Sequence, residues 1–127
     1  MIRGVGTDLV QTDRLEKSLQ NPSFVRYVYA PAEQKLLESR AGRRRLETAA
    51  ANFAAKEAFL KAAGVGLGGF ALSDLAVLRR ESGAPYFAPS GAAARWLAEN
   101  RLTAALSLSH DGGLALAFVV LSDTSGD

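Results

Sequence analysis

The sequence predicts an α+β fold, and three observations predict it. Near the C-terminus the runs "TAALSLSH" and "LALAFVVLSD" flank "DGG", a turn that suits a tight antiparallel hairpin. A second pair, "LAVLRRE" and "PYFAPS", is separated by Ser82, Gly83 and Ala84 and reads the same way. Ahead of both lies an alanine-rich helical stretch from about Arg44 to Ala63, closed by Gly64. The order is strand, helices, hairpin, helix, hairpin. Sequential hairpins imply antiparallel pairing, hence α+β.

The remaining elements follow from local chemistry. "IRGVGTDLV" is β-branched and apolar apart from Asp8, and predicts a first strand. Asp13 suits the N-cap of a short helix, with Glu16 completing a capping-box pattern. Asn21 followed by Pro22 starts another helix, since proline fits the first helical position. Pro31 starts a third that runs through Glu38, and Gly42 interrupts the pattern. Ser90 suits the cap of a helix carrying Ala94, Trp96 and Leu97 and ending near Asn100. No linker or repeat divides the chain, so residues 1–121 are expected to form one domain and residues 122–127 a polar tail.

Composition narrows the function classes. The chain has 127 residues, 48% hydrophobic and 22% charged, with a net charge of +2. That suits a single-core globular protein and not a dedicated nucleic-acid binder. Arginines nevertheless cluster at Arg40, Arg43, Arg44 and Arg45. There are no cysteines, and His110 is the one histidine, so a metal would be held mainly by oxygen. The N-terminal residues do not read as a signal peptide, and Leu114 to Leu121 is too short to span a bilayer. A cytoplasmic location without membrane partners is the expectation.

The reactive residues are few. Glu57 and Lys61 lie four apart and share a helix face. Such a pair is ordinarily a solvated ion pair of about 0.3–0.5 kcal/mol. Lys56 is turned about 100° from Glu57 and serves a different neighbour. The loop "GVGLGG" that follows lets backbone N–H groups approach an anion, though it also reads as a plain C-cap and turn, and it lacks the ending of a Walker A loop. Asp8 lies among apolar residues in "VGTDLV". It is either a turn aspartate bonding its own backbone or a carboxylate that requires a cation or metal. His110 ends the strand "LSLSH", where Leu106 and Leu108 share its face and Ser107 and Ser109 take the other.

Taken together, "GVGTDLV" at Gly4–Val10, "FAAKEAFLKAAGVG" at Phe53–Gly66 and "LSLSHD" at Leu106–Asp111 resemble three motifs of the holo-acyl-carrier-protein synthases, in that family's order. "GAPYF" at Gly83–Phe87 resembles a further segment. The resemblance covers nearly the whole chain, from Met1 to about Leu121. It implies the 4′-phosphopantetheinyl transferase fold, with an antiparallel sheet packed against a long central helix. It implies a reaction in which the phosphopantetheine arm of coenzyme A passes to a serine of an apo acyl carrier protein, releasing 3′,5′-ADP. The implied cofactor is magnesium, with manganese as a substitute, held by Asp8 and Glu57. Glu57 would take the serine proton, directly or through water. Lys61 would neutralise the leaving phosphate, and His110 would contact a coenzyme A phosphate or assist proton movement. Gly64, Gly66, Gly83, Pro85 and Ser109 would shape the adenosine pocket, and Arg44 and Arg45 would meet the 3′-phosphate. Arg14, then Arg26, would meet the acidic carrier. The family's trimers, with active sites between neighbours, are expected here too. One position departs from the pattern: Asn52 stands where many relatives have arginine, so a contact made there is lost or supplied by the Arg43–Arg45 run. The alternative is a non-catalytic carrier-protein or nucleotide-binding module of the same fold. It predicts a broken carboxylate pair or a missing lysine, yet Asp8, Glu57 and Lys61 are all present.

Overall fold

In the computed structural model, residues 1–66 and 69–124 are described; Leu67 and Gly68 of the glycine loop and the end of the expected tail lie outside them. Strand β1 (Ile2–Gln11) is followed by three short helices, α1 (Arg14–Ser18), α2 (Pro22–Val28) and α3 (Pro31–Glu38). The long helix α4 (Gly42–Ala63) comes next, then a 3-10 turn at Leu72–Asp74. A hairpin of β2 (Leu75–Arg79) and β3 (Pro85–Pro89), helix α5 (Gly91–Glu99), and a hairpin of β4 (Leu102–Asp111) and β5 (Leu114–Asp123) complete the chain. β1, β5 and β4 form a three-stranded antiparallel sheet in that order, and β2 and β3 form a separate two-stranded one. The expected class and the sheet-on-helix arrangement are therefore observed.

The sheet sits on α4 at short range because both surfaces are made of small residues. Ala50, Ala54, Ala58 and Ala62 of the helix are buried, as are Ala115 and Ala117 of β5. Gly4 and Gly6 of β1 go further. A Cβ on Gly4 would lie 2.1 Å from the Ala62 carbonyl oxygen, and one on Gly6 would lie 2.1 Å from that of Ala58. Only glycine permits this approach. The next residue on that strand face is Asp8, which the close packing delivers to the last turns of α4.

On its other side α4 holds the small hairpin and α5 through aromatics. Phe59 makes edge contacts with Phe70, Phe87 and Trp96 at centroid distances of 5.9, 5.3 and 6.3 Å. No helix among the described residues is long and apolar enough to cross a membrane.

Element ends mostly follow the expected chemistry. Gly64 takes φ 72° as the left-handed C-cap of α4, and the Asn21 side chain accepts from the Ser23 N–H. Asp13 and Ser90 hold N-cap positions without side-chain cap bonds, so the expected capping box at Glu16 is not formed. The Asp13 carboxylate instead faces Arg43 at 3.9 Å. Helix α4 begins two residues before Arg44, and β5 runs on to Asp123, two residues past Leu121.

Candidate active site

Asp8, Glu57 and Lys61 come together where β1 crosses the C-terminal part of α4. Lys61 Nζ donates to Asp8 Oδ1 at 3.2 Å and to the Thr7 carbonyl at 3.0 Å. The Glu57 carboxyl lies near enough to Asp8 and Lys61 to feel both charges. Partial burial raises its pKa above the ordinary carboxylate value, the Asp8 charge raises it further, and Lys61 opposes both. Two half-buried carboxylates beside one exposed ammonium form a compact, multiply charged surface. Among the described residues no group of three or more His, Asp or Glu could hold a metal by itself. Two carboxylates fit a magnesium ion, which typically keeps waters and substrate phosphate oxygens in its shell.

A small apolar groove lies near this cluster. It is lined by Val10, Leu15, Phe24 and Phe53, with Arg14 at its edge. Val10 follows Asp8 on the same strand face, and Phe53 precedes Glu57 by one helical turn. Arg14 on α1 and Arg26 on α2 are both exposed.

The expected coenzyme-binding residues fall into separate groups. Arg44, Gly83, Pro85 and His110 line a cleft of about 340 Å³ together with Arg40, Glu47, Thr48 and Arg79. Gly64 and Gly66 stay with Lys61 at the end of α4; both are exposed and have open space around them. Arg44 and Glu57 are thirteen residues apart on α4, about 20 Å along its axis. Within one chain the arginine cleft and the carboxylate pair are therefore distinct places. Arg45, about 100° round the helix from Arg44, lines a different cavity with Glu16, Leu19 and Gln20. Ser109 lies on the outer sheet face beside Leu9 and Leu116, away from the cleft. His110 Nδ1 is 3.7 Å from Glu47, which also faces Arg43 at 3.9 Å.

Four polar residues of the cleft, Arg40, Glu47, Thr48 and Arg79, were not assigned from sequence. Arg40 belongs to the noted arginine cluster; its guanidinium donates to the Thr48 hydroxyl, which in turn donates to the Arg44 carbonyl. Arg79 ends β2 and pairs across the hairpin with Pro85. The signal available was its place as the first charge after an apolar strand, opposite a residue already singled out. Asn52 does not contact the Arg43–Arg45 run; it is buried and accepts from Arg79 Nη2 at 2.9 Å.

A cluster of two carboxylates and a lysine, with a cationic cleft elsewhere on the same helix, suits an enzyme acting on a phosphorylated substrate. The family model of the 4′-phosphopantetheinyl transferase superfamily matches residues 4–119. A holo-(acyl-carrier-protein) synthase of Clavibacter michiganensis is 43% identical over 129 residues, covering 100% of this chain and 98% of that protein. The structure of a holo-(acyl-carrier-protein) synthase from Bacillus anthracis, in complex with CoA (3′,5′-ADP), matches with a TM-score of 0.83 at 31% identity, covering 97% and 98%. That of the synthase from Neisseria meningitidis matches with a TM-score of 0.83 at 30% identity, covering 97% and 100%. The chain belongs to the 4′-phosphopantetheinyl transferase superfamily, and within it is an enzyme of the holo-(acyl-carrier-protein) synthase type.

Proposed function

We propose that this enzyme moves the 4′-phosphopantetheine group of coenzyme A to a serine hydroxyl of an apo acyl carrier protein, in the cytoplasm, through a single domain that takes in the expected residues 1–121 and the end of β5 at Asp123. The observation that carries the reading is the meeting of Asp8, Glu57 and Lys61 across the β1–α4 contact. The serine oxygen bonds to the phosphorus that bears pantetheine. The bond from that phosphorus to the bridging oxygen breaks, and 3′,5′-ADP leaves with the bond electrons. Glu57 accepts the serine proton, directly or through water. Lys61, exposed and flexible, neutralises charge on the departing phosphate and can return a proton to it. A magnesium ion would be held by Asp8 and Glu57, with manganese as a substitute, and would supply charge neutralisation on the pyrophosphate oxygens.

The groove beside Phe53 gives the carrier an approach to Glu57, and Arg14 at its edge suits an acidic partner. Arg26 offers a second charge further along. Arg44 and His110, with Gly83 and Pro85, make the arginine cleft a site for the nucleotide end of coenzyme A.

A homotrimer with shared sites reconciles the separation of the two halves. A neighbouring copy could set its arginine cleft against the carboxylate cluster of the first. The outer face of the sheet supplies an apolar surface for such a contact: Val5 is 54% exposed, Leu9 58%, Leu116 40% and Phe118 41%. Val5 lies opposite Val120 and Leu9 opposite Leu116, so the patch is continuous across β1 and β5. Ser109 stands on this face and would meet a neighbour's arginine cleft only between copies.

The test is incubation with coenzyme A, magnesium and an apo acyl carrier protein, read by intact mass. The expected result is a carrier heavier by one phosphopantetheine and release of 3′,5′-ADP. No mass increase over several carriers overturns the reading. Native mass spectrometry reports the assembly, and a monomer at working concentration would remove the shared-site part.

A further inference from the structure

Beneath the arginine cleft lies a polar network with no exposure to water. Glu33 and Lys56 are both 0% exposed, with Lys56 Nζ 2.7 Å from Glu33 Oε1. Burying two charges requires that every remaining donor and acceptor be used. The ammonium spends its other hydrogens on the carbonyls of Leu72 and Leu75, both at 3.0 Å. Glu33 Oε1 also accepts from the Ala30 N–H at 2.9 Å, and Oε2 accepts from Asn52 Nδ2 at 3.0 Å. Asn52 Nδ2 donates again, to the Val77 carbonyl at 3.0 Å. One acceptor is left, Asn52 Oδ1, and Arg79 fills it.

The charges do not balance at that end. Glu33 and Lys56 cancel, and Asn52 is neutral, so Arg79 carries a positive charge to the cleft. Among the described residues no carboxylate lies within 4.0 Å of the side-chain nitrogens of Arg79, Arg40 or Arg44. Three guanidinium groups thus line one cleft without a counter-ion in contact. Burial, with Arg40 adding to it, pushes the Arg79 guanidinium down to about 10. This guanidinium is held at two points, by Asn52 Oδ1 and by the Leu78 carbonyl, which accepts from Nη1 at 3.3 Å; the N–H groups that remain suit a doubly charged, multi-oxygen anion.

We propose that Arg79 is an anion anchor of the cleft, oriented by Asn52 and by the buried Glu33–Lys56 pair behind it, and that its ligand is the phosphate monoester of the substrate. This rests on the coenzyme A reading. Coenzyme A carries one pyrophosphate, which the Asp8–Glu57–Lys61 cluster takes in that reading, and one monoester, the 3′-phosphate. Lys56 is then a positioning residue, distinct in role from Lys61 five residues on.

The test is calorimetric titration of the full chain with coenzyme A and with 3′-dephospho-coenzyme A. Arg79→Gln should weaken coenzyme A binding by about 10- to 100-fold, the scale of a charge-assisted hydrogen bond, and leave the dephospho form within about 3-fold. KM for coenzyme A should rise with kcat little changed, as for a contact made equally in ground and transition states. Arg79→Lys should fall between, keeping the charge without the fork. Asn52→Ala should reproduce part of the loss, and adding Arg79→Gln to it should cost less than in the parent chain. Unchanged coenzyme A affinity in Arg79→Gln, or equal loss for both ligands, overturns the anchor. A full 3′-phosphate preference in Asn52→Ala overturns the positioning role. A parent chain that binds neither ligand would instead bring down the coenzyme A reading itself, and this proposal with it.

Discussion

Helix α4 carries two lysine–carboxylate pairs, five residues apart, that do opposite work. Lys56 meets Glu33 at 2.7 Å with both side chains 0% exposed. Lys61 meets Asp8 at 3.2 Å with the lysine 59% exposed and the aspartate 18%. The chemistry is the same and the surroundings differ. The buried pair has no donor left over, so it can only hold structure in place. The exposed pair keeps its ammonium in water, so it can turn from Asp8 to an incoming phosphate at little cost. Burial, not residue type, separates the structural ion pair from the one proposed to react.

The sharpest way to break this contrast is to remove charge from the exposed cluster. Asp8→Asn and Glu57→Gln should each lower magnesium-dependent transfer by about 10²- to 10⁴-fold. The fold should not suffer. A carboxylate whose folded pKa is raised gives stability that is lost as pH rises through that value. At neutral pH Glu57→Gln should therefore leave the melting temperature unchanged or higher. A mutant with near-normal transfer would remove that residue from the chemistry.

The lysines themselves come next. Lys56→Met leaves Glu33 charged, buried and unpaired, and should destabilise the fold by about 3–5 kcal/mol in urea unfolding. Lys61→Met should change stability by no more than about 1 kcal/mol, while transfer falls. Equal stability losses in the two would erase the distinction. A smaller effect is expected at the strand that carries Asp8. Gly6→Ala places a methyl against the Ala58 carbonyl and should cost about 1–3 kcal/mol, with a loss of transfer as Asp8 is displaced from Glu57. Last, Arg14→Ala should weaken carrier binding by about 3- to 10-fold, more at low salt than at high, without changing coenzyme A affinity. Equal loss of both would count against a carrier-specific role.

Much of the fold was legible because its signals are local. Hairpin turns, the alanine-rich helix and the Gly64 cap are set by neighbours in the chain, and each appears where expected. The helix spacing of Glu57 and Lys61 likewise put them on one face. The caps at Asp13 and Ser90 lack their side-chain bonds, and both residues have partners from distant parts of the chain. Asp13 turns towards Arg43, and the Ser90 N–H is drawn to the Asp74 carbonyl at 2.9 Å.

By itself, then, the sequence determined the elements, the small-residue faces that let strand and helix close up, and a short list of chemically able side chains. Tertiary structure decided which of them work together. It set Lys56 in a sealed network and Lys61 in water, and joined Asn52 to Arg79, 27 positions on. Burial and long-range pairing depend on what the rest of the chain packs against each group, and no local pattern records that.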